Sequence, residues 1–143
     1  MVSKKAKKVM LRMFDTDTCS YLIRGRSQRI EDRLATVAPN DLCISVVTRA
    51  ELLYSLRRMP ASHRLHRSVQ RFLQMIRSVP WDNSAAEFYA DIRHQLVSAG
   101  KPIGELDMMI ASHALALGAT LVTNNTRHYQ RIAQPLDIEN WSD

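Results

Sequence analysis

Cysteine is scarce: Cys19 and Cys43 are the two in 143 residues, without CxxC spacing, which excludes a disulfide scaffold and a thiolate metal centre. They read as small buried apolar residues of a reducing compartment. No apolar run approaches the length of a membrane span, so no membrane partner is expected. The start MVSKKAKKVMLRMF is basic, but its apolar stretch is short and is broken by Arg12 and Asp15, so no signal peptide is expected and the protein is placed in the cytoplasm. Repeats, low-complexity stretches and interdomain linkers are missing too. These absences leave one globular domain, of a size that buries roughly 70% of the surface its unfolded chain exposes. Residues 1–8 read as a basic flexible extension and 9–143 as the domain.

Apolar residues make up 45% of the chain, and charge interrupts them at short intervals, as in an ordinary globular core. Twenty Lys and Arg against fourteen Asp and Glu give a formal charge of +6, which favours a polyanionic partner and is equally compatible with a merely soluble basic protein. Lys4, Lys5, Lys7 and Lys8 form a tail, and Arg49, Arg57, Arg58, Arg64, Arg67, Arg71 and Arg77 make the middle strongly basic.

Strand-like runs are expected at Val9–Phe14, Leu42–Val47, Val79–Trp81, Ala119–Thr123 and Leu136–Ile138. Helices are expected from Thr18 to Ile23, Ile30 to Val37, Ala61 to Val79, Ser84 to Ala99 and Leu106 to Leu117. Another follows Thr48, whose spacing to Glu51 is that of a capping box. In the helix from Leu106, the residues Leu106, Ile110, Ala114 and Leu117 are expected to face inward. Alternating strands and helices imply an α/β sandwich around a parallel sheet.

Ligands of such a sheet bind beyond the carboxyl ends of its strands. Asp15 ends the first strand, Glu51 follows the second, Asp107 opens a helix and Asn125 follows the ATLVT strand, so four oxygen-bearing side chains converge on one end. Two carboxylates ~4 Å apart repel by about 4 kcal/mol at an effective dielectric of 20, and a divalent cation relieves that repulsion. Oxygen ligands without a His or Cys cluster suit Mg²⁺ or Mn²⁺ over zinc. Each residue has a plainer reading: Asp15 as a helix cap, Glu51 as a capping-box partner, Asp107 as company for a helix dipole, Asn125 as a turn residue. Arg57, Arg58 and Arg127 are candidates for gripping phosphate or, equally, solvated surface. His113, among Ala and Leu, reads as a packed, hydrogen-bonded histidine.

FDTDTCSYLI, SVVTRAELLYSL, KPIGELDMMIASHALALGATLVTNN and LDIENW, in this order, resemble a PIN-domain protein, and more narrowly a VapC-type ribonuclease toxin of a type II toxin–antitoxin pair. The resemblance spans the chain after the basic extension. It implies a PIN-like α/β/α sandwich, Mg²⁺ or Mn²⁺ at a carboxylate cluster, and endonucleolytic cleavage of structured RNA such as transfer RNA, which inhibits translation. It also implies a small cognate antitoxin that blocks the active site, and a homodimer or a hetero-oligomer with that antitoxin. Carried over by position, Asp15, Glu51 and Asp107 match the metal-binding acids and Asn125 stands near the fourth site position. Asp17 stands where relatives have Asn, and His128 where a carboxylate is frequent; Ser45 and Thr123 match small hydroxyl residues that hold the acids. The missing fourth acid keeps open a catalytically weak module that binds RNA or a partner, and DTD after a strand keeps open a haloacid-dehalogenase-like phosphatase.

Overall fold

Successive side chains of a strand point to opposite faces of its sheet, and a parallel sheet covered by helices is apolar on both. The computed structural model describes residues 10–142 and follows this rule; the expected extension over 1–8, and Val9, lie outside the described residues. In chain order the elements are β1 (Arg12–Phe14), α1 (Thr16–Ile23), α2 (Gln28–Leu34), β2 (Leu42–Ser45), α3 (Val46–Arg57), α4 (Leu65–Met75), β3 (Arg77–Val79), α5 (Asn83–Ser98), α6 (Glu105–Leu117), β4 (Thr120–Val122), α7 (Thr126–Tyr129) and β5 (Ile138–Glu139). The five strands form one parallel sheet in the order β3-β2-β1-β4-β5. Met13 is in register with Cys43 and Leu121, and Phe14 with Ile44 and Val122. The first row packs with Ile92, Leu96, Met108, Ile110 and Ala111 of α5 and α6. The second packs with Cys19, Ile30, Leu52, Leu56, Val69 and Leu73 of α1 to α4, which makes the expected α/β/α sandwich. Both cysteines are free and buried. Among the described residues no helix is long and apolar enough to cross a membrane.

Several boundaries differ from the sequence reading. The LCISVV run is strand only to Ser45, whose hydroxyl accepts a hydrogen bond from Val47 N at 3.0 Å and caps α3. A side-chain cap starts the helix despite the β-branched Val46 and Val47. Thr48 and Glu51 therefore lie inside the helix and form no capping box. The single long helix expected over 61–79 is shorter, and Arg77–Val79 leaves it to pair with β2 as an edge strand. In α6, Leu106 and Leu117 are exposed while Met108, Ile110, Ala111, Ser112, His113 and Ala114 are buried, because the helix packs on α5 as well as on the sheet and buries a wide strip. Gly118 ends α6 at φ +64°, a left-handed conformation open to glycine at no steric cost.

The carboxyl-terminal segment ties the fold to its central strand. Trp141 is buried, meets Phe14 edge to face with centroids 5.2 Å apart, and donates its indole N–H to Glu139 Oε1 at 2.9 Å. The same oxygen accepts from Arg12 Nε at 3.0 Å, and the Arg33 guanidinium lies 5.2 Å from the Trp141 ring centroid. Trp141→Ala removes the ring from a buried site and is expected to cost about 3–5 kcal/mol, read from the shift of the urea unfolding midpoint.

Candidate active site

Asp15 is the residue at which β1 passes into α1. Its Oδ1 accepts from Thr18 N at 2.9 Å and caps α1, and its Oδ2 accepts from the Thr123 hydroxyl at 2.6 Å. The capping reading and a site role are therefore not alternatives, since each oxygen has its own partner. The carboxylate is 4% exposed, and burial pushes its pKa up to about 6 against the opposing pull of the bonds from Thr123 and Thr18. Thr123 in turn accepts from Asn125 N at 2.9 Å, so the turn after β4 is tied to the acid through one hydroxyl.

Glu51, half-buried on α3, accepts a hydrogen bond from the Thr16 hydroxyl, which also lies 3.2 Å from the Thr48 hydroxyl. Its pKa is raised by burial, the Thr16 bond lowers it, and Asp107 and Asp17 raise it further. Asp107, in the first turn of α6, is likewise raised by burial, eased by Tyr129 and His128, and raised again by Asp17. Asp17 is exposed, and its charge acts on Asp15, Glu51 and Asp107 alike. Asp15, Glu51 and Asp107 thus lie near enough to Asp17 for its charge to act on all three, and Asp107 acts on Glu51 as well.

His128 Nδ1 lies 3.7 Å from Asp107 Oδ2 and 2.8 Å from Asn125 Nδ2, so the residue standing in the place of a carboxylate faces the acids across the crevice rim. Asn125 is exposed, with its amide on His128 and its N–H on Thr123. Ser45 is placed elsewhere: its hydroxyl lies 2.8 Å from His113 Nδ1 and caps α3, and its hydrogen bonds involve no carboxylate. His113 is buried and bonded, as its apolar surroundings in the sequence suggest, and burial lowers its pKa. Arg57 and Arg58 are exposed at the far end of α3, Arg58 with its guanidinium 5.8 Å from the Tyr54 ring centroid. Arg127 is exposed on α7 and lines a shallow basic depression with Lys101 and Arg131.

Sequence reasoning missed Thr16 and Tyr129. Thr16 carried a signal in DTDT, a hydroxyl beside the acid, whereas nothing in the spacing marks Tyr129, which comes near Asp107 only in the folded chain. The apolar groove of about 410 Å³ lined by Leu22, Leu34, Val37, Phe72 and Met75 carries no carboxylate and lies apart from the acids.

Hard oxygen donors whose charged forms are all disfavoured suit Mg²⁺ or Mn²⁺. Among the described residues, however, no three His, Cys, Asp or Glu side chains are closed into a ready-made cage. The donor chemistry fits the ion, and the half-buried Glu51 and Asp107 are the acids with room to turn toward it.

The PIN domain family matches residues 12–134. The tRNA(fMet)-specific endonuclease VapC of Salmonella typhimurium is 35% identical over 129 residues, 90% of this chain and 96% of that protein. Ribonuclease VapC2 of Rickettsia felis is 33% identical, covering 92% of this chain and 98% of its own. A chain in the crystal structure of VapBC2 from Rickettsia felis bound to a DNA fragment from their promoter superposes with a TM-score of 0.85 at 32% identity, covering 92% of this chain and 99% of that one.

Raised folded-state pKa values set a sign. Asp15 holds its proton more tightly folded, at about 6, than unfolded, at 3.8, so its contribution to stability is complete below pH 4 and is lost as pH rises through 6. Asp15→Asn carries no charge and is expected to be more stable than the parent in chelator at pH 8 by about 2–3 kcal/mol, with the difference gone near pH 4. Urea midpoints of both proteins across that range check it.

Proposed function

This chain belongs to the PIN-domain family, among its VapC ribonucleases, and on that premise we propose that it is the toxin of a type II toxin–antitoxin pair: a Mg²⁺- or Mn²⁺-dependent endoribonuclease that cuts structured RNA, a transfer RNA first among candidates, and thereby stops translation in the cytoplasm. The observation that supports this reading is the nearness of Asp15, Glu51 and Asp107, from separate parts of the chain, close enough that Asp17 acts on all three and Asp107 acts on Glu51, with each charge disfavoured.

In this reading Asp15, Glu51 and Asp107 hold the cation. When bound, it supplies an activated water and neutralises charge developing on the phosphate. Thr18 and Thr123 keep Asp15 aimed by occupying its two oxygens. Thr16 keeps Glu51 beside α1. Asn125, on the rim, orients the attacking water with its amide. Asp17 adds negative potential and makes a cation still more welcome.

The RNA is held by cationic surface. From Leu52 to Trp81 the chain has no acid and six arginines, including Arg57 and Arg58, and Arg127, next in sequence to His128, lines a depression with Lys101 and Arg131. Such contacts grip phosphates irrespective of sequence. The partner is a small cognate antitoxin: the Rickettsia felis and Salmonella typhimurium neighbours are VapBC assemblies crystallised with DNA. The toxin forms a homodimer or a hetero-oligomer with it, and residues 9–143 form the domain responsible.

Purified protein incubated with total RNA and Mg²⁺ or Mn²⁺ is expected to yield fragments with defined ends, none with chelator, and on the order of a hundredfold less with Asp15→Ala or Asp107→Ala. Sequencing the fragment ends reads both substrate and cleavage site; undiminished cleavage by these variants overturns the assignment of the acids. Arg57→Ala and Arg58→Ala together are expected to weaken RNA binding and to lower the slope of log affinity against log salt by about 1–2. Filter binding at graded salt measures that slope, and an unchanged slope removes these arginines from the RNA surface.

A further inference from the structure

Tyr129 is 1% exposed, and its ring packs in the apolar layer with Met108 and Leu121, a place that phenylalanine fills equally well. Its hydroxyl is what needs a reason. That oxygen is buried and meets hydrogen-bonding geometry with no partner in the protein. Buried hydroxyls without partners are costly, and native structures keep few of them. Its neighbours are acids: the hydroxyl stands near enough to Asp107 to ease that carboxylate's charge, and the charges of Asp15 and Asp17 also reach it. An unpartnered donor therefore lies in the core beside Asp107.

Resting on the metal-dependent reading above, we infer that Tyr129 is a positioning residue of the cation site, whose hydroxyl donates a hydrogen bond to Asp107 when that carboxylate turns to hold a divalent cation. Asp107 is half-buried and meets His128 Nδ1 only at 3.7 Å, so its orientation is loosely determined by what surrounds it. A donor fixed by core packing removes that freedom without adding charge. The phenol acts as a neutral O–H donor. Groups that orient a ligand from behind commonly change metal affinity ten- to hundredfold.

The test is Tyr129→Phe, which deletes one oxygen and keeps the ring. Mn²⁺ binding by calorimetry is expected to weaken about tenfold relative to the parent, while the thermal midpoint in chelator stays the same or rises. Asp107→Asn serves as the second arm: combined with Tyr129→Phe, it is expected to lose no more affinity than it does alone, because the hydroxyl acts through that carboxylate. Equal Mn²⁺ affinity in parent and Tyr129→Phe overturns the inference and leaves the metal-dependent reading intact. So does a lowered midpoint in chelator, which assigns the hydroxyl to the fold, and so does a full additional loss in the double variant. If the parent itself binds no Mn²⁺, the metal-dependent reading falls and this inference falls with it.

Discussion

The hydrogen bond from Thr123 to Asp15 is the contact on which the rest of the crevice depends. A carboxylate almost fully withdrawn from water cannot keep its charge cheaply, and its burial outweighs the bonds that oppose it. What makes the position tenable is that the two donors come from different places: a backbone N–H at the start of α1 and a hydroxyl at the end of β4. The parallel pairing of β1 with β4 brings those places together. The same threonine accepts from Asn125, so the turn that carries Asn125 and His128 is indexed to Asp15.

Around that contact the protein accumulates charges that oppose each other. Asp17 is exposed and raises the pKa of all three neighbouring acids, and Asp107 does the same to Glu51. None of this favours folding. It stores a demand for positive charge at one place, within a chain whose net charge is positive elsewhere. A basic surface suited to a polyanion and a cluster of acids suited to a cation are complementary halves of phosphodiester chemistry.

Much of this was legible in the residues, and the reasons for the remainder are physical. The short apolar runs ending at Asp15 and beginning at Leu42 and Ala119 gave the sheet, because a strand buried on both faces must be apolar throughout. Asp15 stood out because a carboxylate directly after a buried strand is costly to desolvate and cannot pack, whereas Glu51 and Asp107, inside helices, were marked chiefly by the resemblance. The start of α3 was not, since Val46 and Val47 favour a strand and only the tertiary position of Ser45 reveals it as the cap. Of the expected inward face of α6, Ile110 and Ala114 are buried and Leu106 and Leu117 are not, because periodicity ranks the end leucines with the core while the helix buries its middle, from Met108 to Ala114. Ser45 illustrates a further limit: a hydroxyl near a strand end can serve a neighbouring acid or a buried histidine, and only the coordinates separate the two.

The first strand formed during synthesis is the middle strand of the finished sheet, and its partner β4 stands 108 positions further along the chain. Closing so long a loop is entropically expensive and slow. The seat of Asp15 therefore cannot exist in a nascent chain whose later third is still within the ribosome, because Thr123 has not yet emerged. A ribonuclease of this topology is disarmed for most of the time its own ribosome is making it.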